Sequence, residues 1–230
     1  MASPASSDAR ATAAALAIFD LDGTLTRRDT LLPYLSSFLA TRPARWTRLF
    51  AVFGALVAFA AGKLDRDRCK ERIISVCLGS ATREELAAHT ERFVSRVLAK
   101  GMSPRALAVL ESHRAARARL VLLSASPDVY VGALATRLGF DDCLCTELRW
   151  GSERLIGTFT TANRRGEEKA RLVRGLRAEG RGPIAAYANS GSDLEHLELV
   201  DFPLLVNGST RTRRLAAGRR IPCEDWKRTL

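Results

Sequence analysis

Residues 28 to about 116 read as helix throughout, and the short apolar runs on either side read as buried strands. That arrangement narrows the fold more than any other feature. The first run is Ala15-Leu-Ala-Ile-Phe19 and the second is Leu120-Val-Leu-Leu123. Between them, helical patterns cover 31–40, 44–61, 65–77, 83–99 and 104–117, punctuated by Gly62, Gly79 and Gly101. Beyond them the chain reads as a helix over 129–138, a hairpin from 142–150 and 154–160, and a helix over 167–179. A strand over 184–188, a short helix over 194–199 and a strand over 203–206 follow. Strands alternating with helices predict an α/β fold: a Rossmann-like parallel sheet with helices on both faces. The helical block is too long for a crossover. It should be an inserted α-helical cap over the sheet's carboxyl edge, where such sheets bind ligands. The expected organisation is a loose tail over 1–14, an α/β core over 15–27 and 118–230, and a cap over 28–117.

Composition sets the class. With 47% apolar and 27% charged residues, the chain can bury a core and is not broadly disordered. Net charge is +11, and all but five of its 36 basic residues are arginine. Guanidinium suits phosphates and acidic lipid heads, although GC-rich coding yields the same bias. The five cysteines, Cys69, Cys77, Cys143, Cys145 and Cys223, form no CxxC pair, which reads as a reduced, cytoplasmic chain. The longest apolar run, 49–62, is too short to span a bilayer. It reads as a buried helix or, with Arg42, Arg45, Trp46 and Arg48 ahead of it, as one resting on the inner face of a membrane. The basic stretch 205–230 has no groove-reading motif and few aromatics, so nucleic acid is not expected. It reads as a solvated terminal helix with Trp226 packing back.

The chemistry concentrates in Asp20-Leu21-Asp22-Gly23-Thr24, directly after the first strand. Two carboxylates two residues apart on extended chain emerge on one side, and Gly23 allows a sharp turn. Such a pair suits work on one phosphate. One carboxylate attacks phosphorus, and the other exchanges protons with the leaving oxygen and with water.

This segment, FDLDGTLT, resembles the first motif of the haloacid dehalogenase superfamily of phosphatases, and the other motifs follow in order over about 15–207. The resemblance implies Asp20 as nucleophile, Asp22 as general acid and base, and Gly23 and Thr24 beside the substrate. It implies Ser124 in LVLLSAS and Lys169 in GEEKARL as holders of the phosphoryl group. It implies Mg²⁺ bound by Asp20, Asp22, Asn189 and Asp193. Asn189 stands where the family usually carries an aspartate, which predicts weaker Mg²⁺ affinity with activity kept. A cap between the first two motifs is similar to the phosphoserine-phosphatase-like branch, and Asp29 and Arg72 match that branch's substrate readers by position and local pattern. DGTLTRRDTLLPYL, the RPxR segment and CTELRWGSERLIGTF are similar to bacterial hydrolases that include a phosphatidylglycerophosphatase. The implied substrate is a small soluble phosphate ester, with a lipid phosphate as the alternative. A phosphotransferase and a non-catalytic phosphate-binding protein stay open beside these.

Overall fold

The computed structural model describes residues 13–180 and 182–227. Most of the tail expected at 1–14 lies outside the described residues, but Ala14 is buried in the core. Strand β1 (Leu16–Phe19) is central in a parallel sheet. On one side lie β2 (Arg119–Pro127) and β3 (Asp142–Thr146). On the other lie β6 (Ile184–Ala188), β7 (Phe202–Val206) and β8 (Cys223–Glu224). The chain leaves β1 towards β2 and returns past β1 to β6, so the carboxyl end of β1 sits at the switch point where open α/β sheets bind ligands.

The central strands are apolar throughout because both faces are covered. Ala17, Phe19, Leu120, Leu122, Ala185 and Tyr187 point into one core, and Leu16, Ile18, Val121, Leu123, Ile184 and Ala186 into the other. On the first face lie α5 (Pro104–Ala115) and α6 (Asp128–Arg137). On the second lie α7 (Glu167–Ala178), the short α8 (Leu194–Leu197) and α9 (Thr210–Gly218).

The inserted block holds α1 (Leu31–Ala40), a 3-10 turn (Pro43–Arg48), α2 (Leu49–Ala60), α3 (Arg66–Leu78) and α4 (Arg83–Lys100). Thr82 and Glu85 form a reciprocal cap at the start of α4. The hairpin β4 (Leu148–Trp150) and β5 (Leu155–Phe159) leaves the main sheet and packs on α3. There Phe159 N donates to Glu71 Oε1 at 2.6 Å, and Gly157 at φ +86° lies against Ser75.

Two expectations change, and one boundary is proposed anew. The run over 142–150 is not one hairpin arm: its first half is β3 of the main sheet and its second half is β4. The helix over 104–115 covers the sheet. Its His113 meets Phe19 edge-on and hydrogen-bonds Tyr187 at 2.8 Å. We propose on that ground that the cap ends near Gly101 and that α5 is the core's crossover helix. The basic C-terminal stretch is not one helix, because β8 follows α9 and extends the sheet, with Trp226 buried beyond it. Arg228 lies outside the described residues. No helix among them is long and apolar enough to cross a membrane.

Candidate active site

The loop after β1 makes one wide turn, closed by Thr26 N donating to Leu21 O at 2.9 Å. Gly23 sits in it at φ +79°, and a Cβ there would stand 2.1 Å from Asn189 Nδ2. Only glycine meets both demands without strain. Asn207, just after β7, donates its amide to Gly23 O at 2.8 Å and accepts from Trp226 N, so the C-terminal strand braces this loop.

The loop aims two carboxylates at one cavity of about 610 Å³. Asp20 is buried, and its Oδ1 accepts from Lys169 Nζ at 2.6 Å. Its Oδ2 takes a longer bond from Thr24 Oγ1 at 3.3 Å. Burial pushes Asp20 up to about 7, with Asp193 and Asp22 acting the same way against Lys169. Asp22 is held on both oxygens. Thr30 N and Thr30 Oγ1 donate to Oδ1 at 2.7 and 2.6 Å, and Ser126 Oγ donates to Oδ2 at 2.6 Å. Burial raises its pKa, with Asp29 adding to the effect against these hydrogen bonds. A raised carboxyl is suited to carry a proton to a leaving oxygen.

Lys169, from the first turn of α7, is also 3.0 Å from Asp193 Oδ1. Burial works against its charge, but Asp193 and Asp20 outweigh that and hold it above the usual lysine range. Asp193 follows β6, with Ser190 N donating to its Oδ2 at 3.2 Å. Burial works against its charge too, and Lys169 and then His196 hold it below the usual carboxylate range. Asn189 lines the cavity from the end of β6.

The donors are hard oxygens: Asp20 and Asp193 flank the Lys169 ammonium, and Asp22 lies near enough to Asp20 to raise its pKa. Carboxylate and amide oxygens of this kind fit a hard divalent cation. Among the described residues no group of three or more His, Cys, Asp or Glu could hold a metal alone. A cation here would need waters or substrate oxygens as well, which is the habit of Mg²⁺.

Other expected residues fall differently. Ser124 is buried and does not line the cavity, whose wall here is Ala125 and Ser126. Its Oγ accepts from Ser126 N at 3.1 Å, and its own hydrogen finds no acceptor among the described residues. Thr24 is fully buried behind Asp20. Asp29 lines the cavity mouth while capping α1, accepting from Leu31 N and Leu32 N at 3.0 and 3.3 Å.

Arg72 is not brought to this cavity. It lines a separate groove with α2 and β5 residues such as Ala55 and Ile156. Two positions earlier on α3, Lys70 reaches the site, and one turn before that Arg66 does. A helix turns about 100° per residue, so a two-residue step swings a side chain to the far face. Lys70 Nζ donates to Ala125 O at 2.6 Å and to Asn163 Oδ1 at 2.7 Å. Burial lowers it to about 8. Asn163 Nδ2 donates to Asp67 Oδ1 at 2.6 Å, so this pair of bonds ties α3 to the core across the cavity. Sequence reading missed Thr30, Lys70, Ser126, Asn163 and Asn207. Only Ser126 carried a signal, since it shares a strand face with Ser124 two residues earlier.

With this geometry, the comparisons converge. The sequence profile of the haloacid dehalogenase-like hydrolases matches residues 17–198. The chain belongs to that family, and it is an enzyme of its phosphatase kind. It is similar to Protein CicA of Caulobacter vibrioides, with 32% identity over 81% of this chain and 83% of that one. It is also similar to a probable phosphatase of Mycobacterium tuberculosis, with 27% identity over 93% of this chain and 76% of that one. A solved phosphoserine phosphatase, an analogue of its phospho-aspartyl intermediate, shares the fold at TM-score 0.65. That structure is 15% identical, over 94% of each chain.

Proposed function

We propose that this enzyme is a Mg²⁺-dependent phosphomonoester hydrolase that works through an aspartyl phosphate on Asp20, with a small phosphorylated metabolite as substrate. The observation that carries the reading is the split between the two loop carboxylates. Asp20 is bound to the Lys169 ammonium, while Asp22 has hydroxyl and amide donors from Thr30 and Ser126, and burial raises its pKa against those hydrogen bonds.

Asp20 attacks phosphorus as the ester P–O bond breaks, and Asp22 gives its proton to the departing alkoxide. Asp22 then takes a proton from the water that attacks the acyl phosphate, which frees Asp20 and inorganic phosphate. Lys169 offsets charge on Asp20 and the phosphoryl oxygens. Asp20, the Asp22 carbonyl and Asn189 would hold Mg²⁺, with Asp193 through water or by orienting its neighbours; the ion supplies further charge neutralisation. Lys70 and Asn163 keep the cap against the core and help exclude water.

Arg27, Arg28, Arg66, Arg165 and Lys227 line the same cavity, and among the described residues none of them forms an ion pair. They supply a field that draws in a phosphate ester. A lipid phosphate is the second reading, favoured by the exposed apolar side chains of α2. The test is a hydrolysis screen with Mg²⁺ across phosphorylated amino acids, sugars, alcohols and lysolipids. Release of phosphate from one class supports the reading, and no turnover of any class overturns it.

A further inference from the structure

Helix α2 is twelve residues, LFAVFGALVAFA, and Ala55 alone among them is buried. Phe50 is 82% exposed and Phe53 66%, and Leu49, Leu56, Val57 and Phe59 are also exposed. Trp46, just ahead of the helix, is 55% exposed, with its Nε1 donating to Leu39 O at 3.2 Å. Elsewhere the described residues expose only Leu32, Ile156 and Leu215 among large apolar side chains. A contiguous patch of this kind on a water-facing surface marks a docking face.

The chain around the patch selects the occupant. Residues 41–63 carry four basic residues and no acidic one. Arg42 pairs with Glu85 and Arg48 donates to the Gly79 carbonyl, while Lys63 is exposed and Arg72 of α3 stands exposed beside α2. A second copy docked face to face would bring like charges together. An anionic lipid surface offers opposite charge to the flanks and hydrocarbon to the aromatic rings. The apolar positions 49, 50, 53, 56, 57 and 59 spread over about half the helix circumference. They form a convex ridge rather than a groove that would take a partner helix. At about 18 Å the helix cannot cross the roughly 30 Å hydrocarbon layer, so it would lie in the interface. The far side of α2 rests on α3, where Cys69 Sγ donates to the Ala55 carbonyl at 3.7 Å, and the same α3 presents Arg66 and Lys70 to the cavity.

We propose that α2 docks this enzyme onto an anionic membrane surface, with Phe50 and Phe53 inserted among the lipid chains and the exposed Lys63 and Arg72 on the headgroups. The docking does not depend on which phosphate ester the active site hydrolyses.

The test is co-sedimentation of the full chain with phosphatidylcholine vesicles containing phosphatidylglycerol, compared with phosphatidylcholine alone. Binding to the anionic vesicles that weakens with added salt is expected. Phe50→Ser with Phe53→Ser should cut the affinity by at least about tenfold. Hydrolysis of p-nitrophenyl phosphate by that variant reports on the active site separately, since α2 lines none of it. On the unaltered chain, brominated lipid should quench Trp46 fluorescence, and Trp46→Phe should remove the quenched component. That second measurement stands even where the double variant fails to fold. No binding to anionic vesicles at low salt overturns the proposal. So does equal binding by the double variant, or a concentration-dependent dimer that the double variant abolishes while vesicles bind neither form.

Discussion

Gly23 and Asn189 occupy one small space: a Cβ on residue 23 would stand 2.1 Å from Asn189 Nδ2. The loop that carries both carboxylates therefore closes directly on the end of β6. Gly23→Ala would meet a left-handed backbone at φ +79° and displace Asn189. It should cost about 1–2 kcal/mol of stability from the backbone alone. It should also lower phosphatase activity more than that loss explains. Thermal melts paired with p-nitrophenyl phosphate turnover separate the two effects. A variant with full activity would show that the close approach is dispensable.

Asp20→Asn should remove phosphatase activity by on the order of 10³-fold or more, since it takes away the attacking oxygen while keeping the shape. Retained turnover in that variant would overturn the aspartyl-phosphate mechanism.

Asn189→Asp puts a carboxylate at the end of β6 in place of the amide that lines the cavity. The Mg²⁺ concentration for half-maximal activity should fall by about tenfold, because a hard cation gains a charged ligand. Equal Mg²⁺ dependence in both forms would sink the idea that Asn189 sets the metal affinity.

Lys70 titrates near 8 because burial disfavours its ammonium. Below that pH the charged group bonds Ala125 O and Asn163 and adds positive charge to the cavity. As pH rises through about 8 the charge is lost, so kcat/KM should fall along a limb with that midpoint. Lys70→Met should lower kcat/KM by roughly ten- to a hundredfold, the worth of a charged hydrogen bond, and flatten the limb. The same limb in the variant would assign it to another group.

His113 is fully buried, and burial lowers it from 6.5 to about 4. Its Nε2 pairs with Tyr187, and its Nδ1 has no partner. Between pH 6.5 and about 4 the unfolded chain takes up a proton that the folded chain refuses. Folding stability is therefore full above that window and falls as pH drops through it. His113→Gln, which cannot titrate there, should reduce the slope of urea midpoint against pH. His196, lowered to about 4 mainly by burial, should keep part of it.

Much of the enzyme was legible in the chain itself. Apolar runs of five or fewer residues marked β1 and β6 because strands covered on both faces carry no polar alternation. The helical block between the first two strands predicted a cap, and the motif order tied Asp20, Asp22 and Lys169 to strand ends and a helix start, which the fold brings to one cavity. The family match bears out that membership and the phosphatase class. Alternation in 142–150 suggested a single hairpin arm, since a period of two is the same in the main sheet and in a side hairpin.

What the sequence alone determined was local: which segments become strands and helices, and which loop carries the paired carboxylates. Those follow from hydrophobic period and from glycine at a turn, and both act over a few residues. Tertiary structure decided which side chains from distant segments meet. Lys70 rather than Arg72 faces the cavity because packing of α3 between α2 and β5 fixes its rotation. Thr30 and Ser126 hold Asp22, and Lys70 bridges to Asn163, across separations no local pattern encodes. The same packing covers α5 with the sheet and leaves α2 bare, although both were read from sequence as helices of one cap.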